Sequence, residues 1–329
     1  MTSLNTVAVL GAGTMGHGIA QVLAQHGLRV RLRDLDEGRV QAGLSAVRTN
    51  LEGALARGKL ASSDELEEVL GRISGETRLE VALDGADALI EAIPEDLELK
   101  KRVLAEASLA GDVKLLGTNT SSLPVTEIAQ ATRYPERVLG LHFFNPVHLQ
   151  ALVEVVRGER STQATVDLGL ELVARINKTP VVVQDSPGFA SSRLGLVLGL
   201  EAIRMVEAGV ASAEAVDKAM ELGYRHKMGP LMTTDYVGLD VRLSIAEHLH
   251  HEIGETFRPP LLLRRMVRAG KLGRKSGEEL LPVGRVGEVP GPGLKGRATW
   301  RRSRRRSRAP LSLRQSVLLE MSRTLAAFF

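Results

Sequence analysis

The chain has 329 residues, which suits two domains of ordinary size. Its 43% apolar and 25% charged residues are those of a folded globular protein, and a net charge of +4 hides an uneven distribution. Residues 278–329 carry 11 Lys/Arg against 4 Asp/Glu, so residues 1–277 are net −3, and a basic footprint for nucleic acid over the whole protein is excluded. No run of about 18 apolar residues occurs and no basic leader precedes the first apolar run, so neither a membrane-spanning helix nor a secretory signal is expected, and a cytoplasmic location is. The lack of cysteine removes disulfides, thiolate metal sites and cysteine nucleophiles.

Val7-Ala8-Val9-Leu10 reads as a buried parallel strand, and Gly11-Ala12-Gly13-Thr14-Met15-Gly16 follows it into a helix that Gly27 stops. Residues 28–32 predict a second strand ending near Asp34, then a long charged helix over 36–57 and another over 62–70. Strands are expected at 88–93, 114–117, 138–144, 152–156 and 181–183, with helices at 97–107 and between the last two strands. This alternation predicts an α/β, doubly wound (Rossmann-type), mostly parallel sheet over residues 1–186. After Ser186-Pro187-Gly188 only helical patterns remain, at 194–206, 213–222 and 239–253, so residues 187–277 are expected to form a second, all-helical domain. Residues 278–329, Gly/Pro-rich and then Arg-rich, predict a disordered basic tail.

A Gly-x-Gly-x-x-Gly run is weak evidence alone. Here it follows a strand, opens a helix, and has Asp34 at the end of the next strand, which is the context a dinucleotide site requires. Gly11 allows the turn, Gly13 the approach of a pyrophosphate, and Gly16 close packing of helix on strand. Thr14 and Met15 lie at the helix N-terminus, where free N–H groups face the phosphates. Asp34 can accept from ribose hydroxyls and repels a 2′-phosphate, which favours NAD over NADP despite Arg31 and Arg33 nearby.

A second constellation is Asn119-Thr120-Ser121-Ser122, His142 and Glu154, each near a predicted strand end. Taken singly, a His in Leu-His-Phe-Phe reads as a core histidine and a Glu in Leu-Val-Glu-Val-Val as the exposed face of an edge strand. Together, Asn-Thr-Ser-Ser, Gly-Leu-His-Phe-Phe-Asn-Pro-Val and Leu-Val-Glu-Val-Val resemble the L-3-hydroxyacyl-CoA dehydrogenase family. Asp185-Ser186-Pro187-Gly188-Phe189, Met228-Gly229-Pro230, Asp235-Tyr236-Val237-Gly238-Leu239-Asp240 and Gly273-Arg274-Lys275-Ser276-Gly277 extend the resemblance to residues 5–277. It is strongest to the free-standing bacterial 3-hydroxybutyryl-CoA dehydrogenases, since no hydratase domain is attached.

The resemblance implies NAD-dependent interconversion of (S)-3-hydroxyacyl-CoA and 3-oxoacyl-CoA on short chains, in fatty-acid or butanoate metabolism. Imidazole changes charge near neutral pH and suits a base for a secondary alcohol, and a carboxylate on its other nitrogen fixes the tautomer. By the resemblance His142 is that base and Glu154 its orienting partner, Ser121 bonds the substrate oxygen, and Asn119 lies near the nicotinamide. It also implies cofactor contacts from Glu95, Lys100 and Lys275, CoA contacts from Asn50 and Arg57, and a homodimer formed through the helical domain.

Two departures stand out. Ser192 occupies the position of a family Asn that helps hold substrate, and its hydroxyl is shorter with fewer hydrogen-bonding sites, so altered or reduced activity is expected. The family continues past Gly277 with Gly-Phe-Tyr, whereas Glu278-Glu279-Leu280-Leu281-Pro282 has a codon choice that reads Arg-Ser-Phe-Tyr-Arg once a single base is dropped. The tail is therefore read as the product of a one-base insertion, which resequencing the gene tests. A genuine basic arm for nucleic acid or anionic lipid is the rival reading of that tail. The His248-Leu249-His250-His251 cluster lacks an accompanying carboxylate motif and reads as a solvated helix face, not a metal site. Other readings of the whole are an NAD-dependent dehydrogenase of a free hydroxy acid, of the gulonate type, and an NAD-binding relative without turnover.

Overall fold

The computed structural model describes residues 4–280, so the expectations placed on the segment from 281 onward lie outside the described residues. Eight strands form one sheet: β1 (Thr6–Leu10), β2 (Arg29–Arg33), β3 (Ile73–Glu76), β4 (Ala88–Glu91), β5 (Leu115–Thr118), β6 (Val138–Phe143), β7 (Leu152–Arg157) and β8 (Thr179–Gln184). Their order is β3-β2-β1-β4-β5-β6-β7-β8, and every pair is parallel except β6–β7. The strand order reverses between β1 and β4, so the carboxyl ends of those strands open a crevice, the place where such sheets take ligands.

The apolar run of β1 is buried on both faces because helices cover both. Val7 and Val9 point into one core with Ile19 and Leu23 of α1 (Thr14–Gln25), Val47 and Leu51 of α2 (Glu37–Ala56) and Leu66 of α3 (Ser63–Gly71). Ala8 and Leu10 point the other way, toward Leu83 of α4 (Leu79–Leu83), Leu104 of α5 (Leu97–Ala110) and Ile128 of α6 (Val125–Gln130). Helix α7 (Gln163–Arg175) returns to the first face through Val166 and Leu172. Period-two alternation on a strand covered on both sides gives the unbroken apolar run. Asp36 and Asp96 cap α2 and α5 by accepting from Arg39 N and Leu99 N, which ends the preceding loops where the acidic residues stand.

The rest is helical: α8 (Ser191–Glu207), α9 (Ala213–Gly223), α10 (Pro230–Val237), α11 (Leu239–Glu252) and α12 (Leu261–Arg268). Leu196, Leu200, Val216, Leu231, Leu249 and Leu263 share a separate core. Helix α8 begins three residues before the predicted start, because its polar first turn faces the sheet and not that core. The expected boundary at 278 falls inside this packing: Gly273 N donates to Glu278 O at 3.0 Å and Leu280 N to Asp235 Oδ1 at 2.8 Å, so residues 278–280 are not part of a free tail. Among the described residues no helix is long and apolar enough to cross a membrane.

Candidate active site

The glycine turn needs its glycines for steric reasons. Gly11 has φ +98°, and a side chain there would stand 2.6 Å from Ala92 O. A Cβ on Gly16 would lie 1.6 Å from Gly11 O, so the first turn of α1 can close on β1 only as glycine. Gly13 precedes α1 without a side-chain cap and nothing stands within 4 Å of its missing Cβ, so the first-turn N–H groups at Thr14 and Met15 face open space. Asp34 closes the turn: its Oδ2 accepts from Ala12 N at 2.7 Å and its Oδ1 from Leu35 N at 2.7 Å. Each oxygen keeps a lone pair for a ribose hydroxyl. These features fit a dinucleotide.

His142 and Glu154 face each other across the antiparallel β6–β7 pair, in register as direct partners. Glu154 Oε2 accepts from His142 Nδ1 at 2.8 Å, which leaves Nε2 as the ring's open nitrogen. The imidazole is 6% exposed and the carboxylate 1%. Phe144 and Phe189 wall the ring, with centroids at 4.4 and 5.9 Å. The carboxylate is also the anchor of α8: Ser191 Oγ donates to Oε2 at 2.7 Å and Ser191 N to Oε1 at 2.8 Å. Burial opposes its charge, but the bonds from His142 and Ser191 outweigh burial and hold it below the ordinary carboxyl value of 4.5.

The sign of that shift sets a pH dependence. A carboxyl held below its unfolded value stabilises the fold fully above about pH 4.5, and this contribution is lost as pH falls through the lower folded value. Thermal unfolding followed over about pH 3 to 7 is expected to show an acid limb that Glu154→Gln flattens. Parallel acid limbs in both proteins would contradict the bonding described.

Glu95 organises the other wall. Its Oε1 accepts from Ser121 N at 2.8 Å, Ser121 Oγ at 3.1 Å and Thr120 Oγ1 at 2.7 Å, while Lys100 Nζ stands 3.4 Å from Oε2. Burial raises its pKa, and the Lys100 charge with these bonds more than reverses that, leaving it lowered. Lys100 itself is 1% exposed and paired at 2.7 Å with Glu91, a residue that sequence reasoning missed. Asn119 Oδ1 accepts from Phe143 N at 2.8 Å, tying the end of β5 to β6 beside His142.

Ser121 and Glu95 line a cavity of about 500 Å³ whose far side is α11, through Asp240, Val241, Ser244 and His248. Lys275 closes on Asp240 at 2.6 Å. Ser192 lies half-buried in the first turn of α8. Asn50 is farther off, donating to Gln21 Oε1 at 3.0 Å, and the Arg57 guanidinium lies against Gly53 near the end of α2. His250 bonds Glu255 at 3.1 Å, and among the described residues no group of three or more His, Asp or Glu side chains could hold a metal. Val241, Ser244 and Ser191 carried no readable signal, because each faces the site only through the packing of a helix whose sequence looks ordinary, whereas Asp240 stood in a motif of the resemblance and His248 in a cluster read as a solvated face.

Two family models cover the chain: the NAD-binding domain of 3-hydroxyacyl-CoA dehydrogenase over residues 6–186 and the C-terminal domain of 3-hydroxyacyl-CoA dehydrogenase over residues 188–281. A probable 3-hydroxybutyryl-CoA dehydrogenase of Bacillus subtilis is 43% identical over 276 residues, covering 83% of this chain and 96% of its own. A 3-hydroxybutyryl-CoA dehydrogenase of Clostridioides difficile is 42% identical, over 82% of this chain and 96% of its own. Among solved structures, Mycobacterium tuberculosis FadB2 superposes with a TM-score of 0.82 at 40% identity, over 85% of this chain and 99% of its own. The (S)-3-hydroxybutyryl-CoA dehydrogenase PaaH1 of Ralstonia eutropha gives 0.81 at 38% identity, over 84% and 98%. A glycine turn built for a dinucleotide, a buried His–Glu pair at the sheet's carboxyl edge and these matches along both parts of the chain agree: it belongs to the 3-hydroxyacyl-CoA dehydrogenase family, with NAD as its cofactor.

Proposed function

We propose that the protein interconverts (S)-3-hydroxyacyl-CoA and 3-oxoacyl-CoA with short acyl chains, and that His142 is its acid–base residue. The observation that carries the assignment is the 2.8 Å His142–Glu154 bond near the carboxyl end of β6. NAD, when bound, supplies the hydride acceptor or donor. In the oxidative direction His142 Nε2 takes the hydroxyl proton while Glu154 keeps Nδ1 protonated and stabilises the imidazolium. In reduction the imidazolium returns that proton to the forming alkoxide. Ser121 Oγ, which donates to Glu95 at 3.1 Å in the free protein, turns that proton to the substrate oxygen, because the one hydroxyl proton goes to His142 and a keto oxygen can only accept.

For the cofactor, we assign Gly11, Gly13, Thr14, Met15 and Gly16 to the pyrophosphate, Asp34 to the ribose, and Glu95, Lys100, Asn119 and Lys275 to the nicotinamide half. Lys100, being buried, acts there through Glu95. Ser192, Asn50 and Arg57 are assigned to the acyl-CoA. We also propose a cytoplasmic homodimer, the second copy covering exposed apolar side chains of the helical part such as Leu194, Leu198, Leu222 and Tyr224.

NADH consumption with acetoacetyl-CoA tests the activity, with free 3-oxo and hydroxy acids as comparison substrates. Turnover of the thioester at least about tenfold above the free acids supports the reading, a factor equal to about 1.4 kcal/mol of differential binding. Equal or greater turnover of the free acids overturns it.

A further inference from the structure

Four basic side chains meet beside the glycine turn, and of these only Arg57 has a role in the reading above. His17 lies in the first turn of α1, Arg57 follows α2, His148 lies in the β6–β7 loop, and Lys178 precedes β8. Contacts bring these elements together. Val147 Cγ2 lies 3.0 Å from where a Cβ on Gly18 would stand, so the loop packs on α1 next to His17. Lys178 Nζ donates to Val147 O at 2.7 Å and holds the loop there. One turn past His17, Gln21 accepts from Asn50 on α2, and Arg57 lies two turns beyond Asn50 on the same face. The charges that act on His148 are those of Arg57, Lys178 and His17, from three different elements, and no carboxylate is among them.

The cluster also keeps free hydrogen-bonding groups. Arg57 is exposed and His148 half-buried, and neither has a hydrogen bond or ion pair among the described residues. His17 Nδ1 donates to Gly13 O at 2.9 Å, which leaves Nε2 with a bare lone pair. Burial and the neighbouring cations push His148 below its ordinary 6.5, and burial does the same to His17 against the Gly13 bond. Both rings are therefore neutral at neutral pH, and their lone pairs repel an anion until a proton arrives. An anion seated in the cluster reverses the balance, since an opposite charge nearby favours the protonated ring.

One loop joins the cluster to the reacting pair. Phe144 packs on the His142 ring at 4.4 Å, and along the chain from Phe144 the span to His148 is at most about 14 Å, within reach of a pantetheine arm. We propose that His17 and His148 bind the phosphates of CoA beside Arg57 and take up a proton as they do so, so that affinity for the thioester rises as pH falls. This rests on the acyl-CoA reading and deepens it by two ligands and a pH control. The pyrophosphate of NAD is the other source of phosphate at this edge, and the test separates the two.

Calorimetry on the full chain without NADH, in buffers of different ionisation enthalpy, reads the protons taken up with acetoacetyl-CoA, acetoacetyl-pantetheine and NAD. Uptake of about half a proton or more per acetoacetyl-CoA is expected at about pH 7, with a Kd about tenfold weaker at about pH 8.5 than at about pH 6.5. Acetoacetyl-pantetheine, which has no phosphate, and NAD are expected to bind without uptake. His17→Gln and His148→Gln are each expected to reduce the uptake, and the double variant to abolish it and weaken acetoacetyl-CoA by at least about fivefold at about pH 6.5. Histidines with a merely structural role would move Tm and leave the uptake unchanged, which overturns the proposal. Uptake that accompanies NAD instead also overturns it and gives the cluster to the dinucleotide. Acetoacetyl-CoA bound equally at both pH values without uptake removes the histidines from CoA recognition and leaves the dehydrogenase reading intact. Failure to bind acetoacetyl-CoA at all overturns both.

Discussion

His142→Ala is expected to lower kcat on acetoacetyl-CoA by about 10²–10⁴-fold, the range that one positioned acid–base group contributes. The Kd for NAD is expected to stay within roughly twofold of wild type, since a rise of that size is under about 0.5 kcal/mol. The split follows from where the side chain sits. His142 bonds Glu154 and packs on Phe144 and Phe189, whereas the glycine turn is held by Asp34 and by contacts with Ala92. Removing the ring leaves the turn unaltered. It also leaves Glu154 with both Ser191 bonds, so the carboxylate stays satisfied and α8 stays anchored. Tryptophan-independent titration by calorimetry gives the NAD affinity, and stopped-flow NADH absorbance gives the rate. Equal loss of rate and NAD affinity would remove His142 as the base and make it a structural histidine of the sheet edge.

Much of this arrangement is legible in the sequence, for reasons particular to each part. The β1–α1 turn reads correctly because three glycines at fixed spacing answer one steric demand, and Asp34 ends β2 where β2 leaves the sheet. His142 and Glu154 read as a pair only through the resemblance, because a contact across antiparallel strands depends on register and not on spacing along the chain. What did not read was short or polar. Strand β3 has Gly75 packed on Val40 and no apolar alternation, and α4, α6 and α10 are too short to display a periodic face. Buried charge was hidden in the same way. Glu91 stands in Ala-Leu-Ile-Glu-Ala-Ile as if it ended a strand at the surface, and Arg242 sits in a helix rich in charge, yet both are buried.

Glu91 and Lys100 carry the largest stability effect expected of a single substitution. Lys100→Met leaves a carboxylate that is 0% exposed without its cation, and a broken buried pair of this kind costs about 3–5 kcal/mol. Glu91→Leu is expected to cost a similar amount, because Lys100 then keeps only Glu95 at 3.4 Å and Ile93 O at 3.3 Å. The double variant should recover most of that loss, since an apolar pair of similar volume removes both desolvated charges at once. A residue of about 1–3 kcal/mol remains from Thr118 Oγ1 and Ile93 N, which now donate to Glu91 at 2.7 and 2.8 Å and would lose their acceptor. Urea unfolding of the four proteins gives the coupling energy directly. Function is expected to part from stability in the double variant. Without Lys100 the Glu95 carboxylate loses the charge that holds it beside Ser121, so kcat/KM stays reduced although the fold is restored. Strict additivity of the two single losses would mean that the pair is not coupled. Full recovery of kcat/KM would mean that Lys100 serves the core alone and has no bearing on the wall formed by Glu95 and Ser121.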